Sequence, residues 1–269
     1  MSLESVPIWG FFVGTIAIVL VAIEIGFQLG HAAHRRSEDE KESPVGAIAG
    51  SILGLLAFIL AFTFGLVSDR YDARKGLIRE EANVIQTAYF RADFLPEADR
   101  AVAKGLLRTY VDERIAAVRS GDMARIQVAV AAASQIQIRL WDMAVANARV
   151  DMNSDVAALY IEAINELMAI HAQRIAVGLA RIPVGIWHAL AILIVLGMIA
   201  VGYQTGIAGS RRSWAMPILA FSFSLVIALI SSLDRPHSDL ITVSQQPLED
   251  VQKAMALASP ANPAGEPAP

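Results

Sequence analysis

Four long apolar segments interrupt the mixed polar pattern of this chain. They cover roughly residues 8–29, 45–67, 183–203 and 214–233, and Glu24 is the only acidic residue within them. An α-helix needs about 20 apolar residues to cross the hydrocarbon core of a bilayer. The pattern therefore predicts an all-α integral membrane protein, with four transmembrane helices in two pairs flanking a central helical domain.

The polar stretch between the two pairs also has helical spacing. From Asp69 to Phe94 there is no proline, and apolar residues continue to recur at intervals of three or four. We therefore expect the second transmembrane helix to leave the membrane as one long helix. Three more helices are predicted, from Pro96 to Gly121, from Asp122 to Arg149, and from about Asn153 toward the third span.

These patterns divide the chain into five predicted parts. Residues 1–67 contain transmembrane helices 1 and 2, and residues 68–181 form a polar helical domain continuous with helix 2. Residues 182–234 contain transmembrane helices 3 and 4, and residues 235–258 form a C-terminal segment with a short helix. Residues 259–269 are rich in proline and alanine, a composition typical of disorder.

Composition supports a membrane location and excludes several other classes. Of the 269 residues 55% are hydrophobic, and the mean hydropathy of +0.49 is too high for an ordinary soluble domain. The net charge of −4 gives no electrostatic support for nucleic-acid binding. Abundant alanine and a preference for arginine over lysine are typical of a GC-rich bacterial genome. We therefore expect a multi-pass protein of a bacterial inner membrane.

The sequence contains no pattern that predicts catalysis. Cysteine is absent, which excludes disulfides, thiolate metal sites and cysteine nucleophiles. We find no nucleophile elbow, phosphate-binding loop, zinc-helix motif or paired catalytic carboxylates. His31 and His34 lie three residues apart, but no carboxylate or cysteine partner completes a metal site. We therefore predict no enzymatic activity, no cofactor and no metal.

Basic residues lie on both sides of the predicted membrane. The two hairpin loops carry basic residues, which by the positive-inside rule places these loops in the cytoplasm. Other arginines and a lysine flank the membrane on the side of the central domain, which favours the opposite orientation. Both orientations stay open at this point. The loop residues are Arg35, Arg36, Lys41, Arg211 and Arg212.

Two repeated patterns mark the second span. Gly46, Gly50 and Gly54 form a double small-xxx-small motif, which predicts close packing against another helix of this chain or of a second copy. Phe58, Phe62 and Leu66 continue the four-residue stepping on a face turned away from the glycines. These three apolar residues could line a constriction that gates a pore by dewetting. Alternatively, they face lipid or pack in the protein core.

A dense run of charges follows the second span, where the helix leaves the membrane. Exposed ion pairs contribute only about 0.3–0.5 kcal/mol each to folding stability. A gain in stability is therefore a weak explanation for so many charged residues in one segment. A ring of charge at a pore mouth would be a functional explanation, and a solvated helix face is the alternative. We expect Asp234 and Arg235, which end the fourth span, to pair with this run. Its charged residues are Asp69, Arg70, Asp72, Arg74, Lys75, Arg79, Glu80 and Glu81.

Glu24 is an ionisable residue within a predicted span. Charges inside a membrane are costly and often take part in transport. Its position near the end of the first span also allows a solvated or hydrogen-bonded side chain at the interface. A functional and a purely structural role are therefore both compatible with the sequence.

Two stretches carry a family resemblance. LAFTFGLVSDRY at residues 60–71, with REEANVIQTAY at 79–89, is one, and LDRPHSDLITVSQQPL at 233–248 is the other. Together they resemble the bestrophin-like family of bacterial and plant membrane proteins, which is distantly similar to the pentameric bestrophin anion channels. The resemblance implies that Phe58, Phe62 and Leu66 are candidates for the hydrophobic neck. No acidic cluster resembling the bestrophin calcium clasp follows the fourth span.

Three functional hypotheses follow from these observations. The first is a self-associating channel in the lipid bilayer, with span two lining the pore and a small inorganic anion as the permeant ion. The second is a non-conducting scaffold or sensor whose central domain binds a partner. The third is a small transporter that uses Glu24 as a coupling group.

Overall fold

The computed structural model describes residues 7–36, 42–209, 214–235 and 241–258, and the predicted disordered tail at 259–269 lies outside them. Within these ranges the chain is helical and contains no strand, which confirms the predicted all-α fold class. The helices are α1 (Ile8–Arg36), α2 (Glu42–Arg91), α3 (Glu97–Ser120), α4 (Met123–Ala148), α5 (Asp155–Leu179), α6 (Val184–Ile207), α7 (Ala215–Asp234) and α8 (Gln246–Leu257).

Helix α2 is the longest element, with 50 residues. At 1.5 Å per residue it is about 75 Å long, more than twice the thickness of a hydrocarbon core. It starts as an apolar transmembrane segment and continues as a charged, amphipathic helix. A 3₁₀ turn at Ala92–Phe94 ends it, and Pro96 precedes helix α3.

The described helices include four that are long and apolar enough to cross a membrane. Their apolar segments lie in α1, the first half of α2, α6 and α7. The chain divides into two compact units, and the division falls inside α2 and between α5 and α6. The membrane unit comprises Met1–Tyr71 and Ala180–Thr242, and the polar unit comprises Asp72–Leu179 and Val243–Pro269. Helix α8 therefore groups with the central helices, although the sequence suggested a separate C-terminal segment.

The membrane unit has an apolar core contributed by all four of its helices. Aromatic rings join α1 to its neighbours: Phe11 meets Trp187 of α6 at 5.8 Å between centroids, and Phe12 meets Phe221 of α7 at 5.5 Å. Edge-to-face pairs of this kind favour a fixed orientation of the rings. The core includes Val19, Ile23, Leu56, Leu60, Val67, Leu190, Ile194, Met198, Ile227 and Ile230.

Helices α1 and α6 approach each other through glycines on both sides. A Cβ atom at Gly26 would lie 2.9 Å from the Cα of Ile199, and one at Gly202 would lie 2.9 Å from the backbone nitrogen of Phe27. Gly30 and Gly206 make similarly close approaches to the opposite backbone. In lipid, where no hydrophobic force drives helices together, such backbone proximity provides the dispersion contacts that hold them.

The polar unit is a bundle of the second part of α2 with α3, α4, α5 and α8. Gly121 ends α3 in the left-handed conformation (φ 64°), where glycine carries no Cβ penalty, and Asp122 caps α4 by accepting a hydrogen bond from Ala124 at 2.9 Å. Leu248, Val251 and Met255 bury one face of α8 in the core. Other core residues are Ile85, Tyr89, Leu107, Tyr110, Leu140, Tyr160, Ile164 and Leu167.

Candidate functional site

The aromatic stripe of α2 faces away from the core of the membrane unit. Phe58 is 67% exposed and Phe62 is 59% exposed, whereas Leu66 is half-buried. The opposite side of the same helix holds the fully buried Leu56 and Val67. One protomer therefore presents two large aromatic side chains outward, opposite the side of the helix that packs into the core.

The three glycines at the start of α2 differ in their surroundings. A Cβ atom at Gly46 would lie 2.8 Å from the Nε2 atom of Gln204, so this glycine accommodates a side chain of α6. Nothing lies within 4 Å of such an atom at Gly50 or Gly54. Close packing within the described part of the chain therefore involves only the first of the three.

Two neighbouring residues of opposite charge, Asp69 and Arg70, have different surroundings where α2 leaves the membrane. Arg70 contacts the buried Asp234 of α7, with 3.5 Å between Nη1 and Oδ1, and the same carboxylate oxygen accepts the backbone N–H of Ile182 at 2.9 Å. Asp69 is exposed, and no hydrogen bond or ion pair holds its carboxylate within the described ranges. Arg235, the residue after Asp234, is half-buried.

The remaining charges of the run divide by helix face. Lys75, Arg79 and Glu80 are exposed, as is Asp72. Arg74 is only 9% exposed and Glu81 is completely buried. The run that the sequence treated as one charged surface therefore contains two residues that belong to the interior of the polar unit.

Glu81 is the centre of a buried polar network that links three helices of the polar unit. Its carboxylate accepts hydrogen bonds from the Tyr110 hydroxyl at 2.7 Å and from Arg114 Nη2 at 3.3 Å, both on α3. Its second oxygen pairs with Arg174 of α5. A buried carboxylate is tolerated only when it is paired and hydrogen-bonded, and here both oxygens have charged donors.

A histidine extends this network to α4. The Nδ1 atom of His171 lies 3.2 Å from the Tyr110 oxygen, and its Nε2 lies 3.4 Å from the Ser134 hydroxyl. Because Tyr110 gives its own proton to Glu81, its oxygen is left to accept from Nδ1–H of His171. The neutral imidazole with a proton on Nδ1 fits the contact with Tyr110, and its Nε2 then accepts from the Ser134 hydroxyl, which also donates to the Val130 carbonyl at 3.1 Å.

Burial keeps the uncharged members of the network neutral. Burial, with the positive charge of Arg114, lowers the pKa of His171 to about 4. Burial also raises the pKa of Tyr110 to about 12 against the opposing effects of Arg114 and Gln137. Burial lowers the pKa of Arg174 to about 10, which leaves the guanidinium protonated at neutral pH.

Glu24 lies half-buried on α1, where it accepts a hydrogen bond from Gln28 one turn later at 3.0 Å. Among the residues that the structure describes, no group of three or more histidines, aspartates or glutamates is placed to hold a metal ion.

Several structurally important residues were not identified from the sequence. The α1–α6 contact uses Gly26, Gly30, Gly202 and Gly206, which repeat the same small-xxx-small spacing that drew attention to α2. The members of the Glu81 network occupy positions within apolar stripes: Arg174 follows Ile170 by four residues, and Arg114 follows Tyr110 by the same interval. A charged residue at a core-facing position of an amphipathic helix is the signal that could have revealed them.

The comparisons with known proteins agree with this architecture. The model of the Bestrophin-like domain matches residues 13–248, which is most of the chain. The chain belongs to the bestrophin-like family. A point mutant of a bacterial bestrophin homologue from Klebsiella pneumoniae has the same fold, with a TM-score of 0.62 and 12% identity over 93% of this chain and 99% of the homologue.

A second solved structure, described as that of a membrane protein, matches the bestrophin-like chain with a TM-score of 0.59 and 14% identity. The match covers 93% of this chain and 95% of that protein. At these identities the likeness concerns the fold. No curated protein matches the sequence.

Proposed function

We propose that this bestrophin-like protein is a homo-oligomeric ion channel of a bacterial inner membrane, with α2 lining the pore. The observation that carries the proposal is the outward position of Phe58 and Phe62 on a helix whose opposite side packs into the core of the membrane unit. A single protomer has one α2 helix, so a pore requires several copies arranged around a common axis. In that arrangement the two phenylalanines and Leu66 form rings that narrow the path and gate it by dewetting.

The alternative position for these rings is the lipid. Asp69 favours the pore, since this exposed carboxylate lies on the same helix face as Phe58 and Phe62, two turns further on. A carboxylate needs water or a partner. A face that joins large apolar rings directly to an exposed carboxylate suits a narrow aqueous path better than a lipid surface.

Planar-bilayer recording of the purified protein tests the proposal. We expect unitary currents, and a larger conductance after Phe62→Ala because removing the rings widens and wets the constriction. Phe64→Ala is the matched control, because Phe64 is exposed on a different face of the same helix. Absence of current, or an identical response to both substitutions, would contradict the pore assignment.

The absence of cysteine allows a second, independent test. Single cysteines at Phe62 and at Phe64 are exposed to a charged, membrane-impermeant thiol reagent during recording. If Phe62 lines the pore, the reagent modifies the cysteine there and the current falls. The reagent either does not modify the cysteine at the control position, Phe64, or modifies it without changing the current. Mass photometry in detergent gives the subunit number, and a monomer would leave too few helices for a central pore.

A non-conducting scaffold or sensor is the second candidate. Phe90 and Phe94 of the polar unit favour this candidate, because they are 46% and 49% exposed. Without a partner, these exposed aromatic rings would be in contact with water. Exposed aromatic residues of this kind mark contact surfaces. This candidate predicts a monomer or dimer without conductance, and a protein partner whose binding is lost after Phe94→Ser.

A further inference from the structure

Three arginines of the membrane unit lie close to one buried carboxylate. The Asp234 carboxylate, at the end of α7, lies 3.5 Å from the guanidinium of Arg70. It also accepts the backbone N–H of Ile182 at 2.9 Å, which holds the preceding residue, Arg181, beside it. Arg235 directly follows Asp234 in the sequence. We call Arg70, Arg181, Asp234 and Arg235 the arginine cluster.

The arginine cluster lies at one boundary of the apolar segments of the membrane unit. Arg70 follows the buried Val67 of the apolar part of α2 by three residues, and Asp234 is the last residue of α7. Tyr71 and Trp187 are partly buried and pack against the apolar core. Tyrosine and tryptophan are typical of the level at which lipid headgroups meet the hydrocarbon. The arginines are therefore placed at the height of the lipid headgroups.

The arginine cluster has more positive charge than its carboxylate compensates. Three guanidiniums carry far more N–H donors than one carboxylate has acceptor positions, and the Ile182 N–H already uses one of these positions. Arg181 also donates to the Ala180 carbonyl at 3.2 Å. The adjacent Asp69 is exposed, and even when it is counted, three positive charges against two negative ones leave a net charge of +1. The cluster therefore favours a further anion.

We infer that the arginine cluster binds the phosphate group of an anionic phospholipid. Guanidinium groups match phosphate oxygens in a bidentate geometry, and basic clusters next to a membrane recognise anionic headgroups. The position favours a lipid over a soluble anion, because Val184, two residues after Ile182, is 61% exposed at the start of the apolar α6 and offers a surface to acyl chains. This site requires a bilayer but does not depend on ion conduction.

Titration of the detergent-solubilised protein with dioleoylphosphatidylglycerol, followed by native mass spectrometry, tests the site. Dioleoylphosphatidylcholine is the reference lipid, because it has the same acyl chains and a phosphate group but no net charge. We expect phosphatidylglycerol to bind wild-type protein several-fold more tightly than phosphatidylcholine. Equal affinity for the two lipids would overturn the inference.

The double substitution Arg181→Gln/Arg235→Gln tests the residues. Each arginine near an anionic lipid surface strengthens binding by about fivefold, so the Kd for phosphatidylglycerol should rise by roughly 25-fold. Arg125→Gln/Arg139→Gln is the charge-matched control, since it removes two exposed arginines from α4 of the polar unit, and it should leave the Kd unchanged. Equal losses in the two double variants would show that only the overall charge matters and would overturn the assignment.

A charge-conserving variant keeps the test decisive if the glutamine variant fails to fold. Arg181→Lys/Arg235→Lys retains both charges but loses the planar guanidinium forks. It should bind phosphatidylglycerol more weakly than wild-type protein while still preferring it to phosphatidylcholine. Unchanged affinity, or loss of the preference, would contradict recognition by guanidinium groups.

Inorganic phosphate distinguishes a lipid from a soluble anion as the source of the phosphate group. Millimolar phosphate should neither displace phosphatidylglycerol from wild-type protein nor raise its melting temperature as the lipid does, because the acyl chains contribute to binding. If phosphate alone displaces the lipid and reproduces its stabilisation, the site binds a free anion and the assignment to lipid is wrong.

Discussion

The Tyr110 hydroxyl donates a hydrogen bond of 2.7 Å to the Glu81 carboxylate, and both residues are buried in the polar unit. The contact joins the amphipathic half of α2 to α3, and Arg174 joins the same carboxylate to α5. Glu81 is therefore a central cross-link of the bundle, and the stability of the polar unit should depend on its charge.

Glu81→Gln should destabilise the polar unit strongly. The substitution retains the shape of the side chain but leaves Arg114 and Arg174 buried without their anion, a change that costs roughly 3–5 kcal/mol in free energy of unfolding. Thermal unfolding in detergent, followed by circular dichroism, measures the effect. Glu80→Gln is the matched control, because the adjacent carboxylate is exposed, and it should change stability by less than about 0.5 kcal/mol. Equal effects of the two substitutions would contradict the buried network.

The polar unit should lose stability as the pH falls from about 6.5 toward about 4. Because the pKa of His171 is lowered to about 4 in the folded protein, the unfolded chain binds a proton in this range that the folded chain does not. The contribution of His171 is fully present above the ordinary histidine pKa and decreases below it. The groups that face the imidazole are Tyr110, Arg114 and Ser134, with Glu81 and Arg174 in the same network.

Melting temperatures of wild-type and His171→Gln protein between pH 4 and pH 8 test this prediction. The difference between the two should be constant above pH 7 and should change steadily below pH 6.5, because only the wild type contains an imidazole that folding keeps neutral. Parallel curves over the whole range would show that another group causes the acid sensitivity.

Gly202→Ala should weaken the contact between α1 and α6. The added Cβ atom would lie 2.9 Å from the backbone nitrogen of Phe27, and a backbone atom cannot move aside as a side chain can. Overpacking of this kind costs about 1–3 kcal/mol. Gly54→Ala is the control, since nothing lies within 4 Å of the new atom within the described chain. The melting temperature in detergent should fall for the first variant alone.

Asp234→Asn should destabilise the membrane unit by about 1–3 kcal/mol. The change removes the charge that compensates Arg70 and weakens the bond to the Ile182 N–H at the start of α6. Asp69→Asn removes a carboxylate from the same region without breaking an ion pair, so it should leave the melting temperature nearly unchanged. Comparison of these two variants by thermal unfolding separates the effect of the paired, buried carboxylate from that of the exposed one.

The amino-acid sequence determined the helices and their membrane location. In a bilayer every backbone polar group must be satisfied within its own segment, so long uncharged runs form helices whatever lies beside them. The long α2 helix could be predicted for a similarly local reason, because its apolar spacing continues without proline through Tyr89. The outward stripe of Phe58 and Phe62 was recognisable from its four-residue spacing, although its orientation was not.

Only the tertiary structure decided which members of a repeated pattern are buried. Glu80 and Glu81 are adjacent and chemically alike, yet Glu81 alone meets Arg114 and Arg174, which lie 33 and 93 residues away in the sequence. The glycines show the same dependence. Identical spacing in α1, α2 and α6 produces backbone contact at Gly26 and Gly202, whereas no atom of the described residues lies within 4 Å of a Cβ at Gly50. Local spacing specifies the face of a helix, whereas burial depends on distant segments that pack against that face.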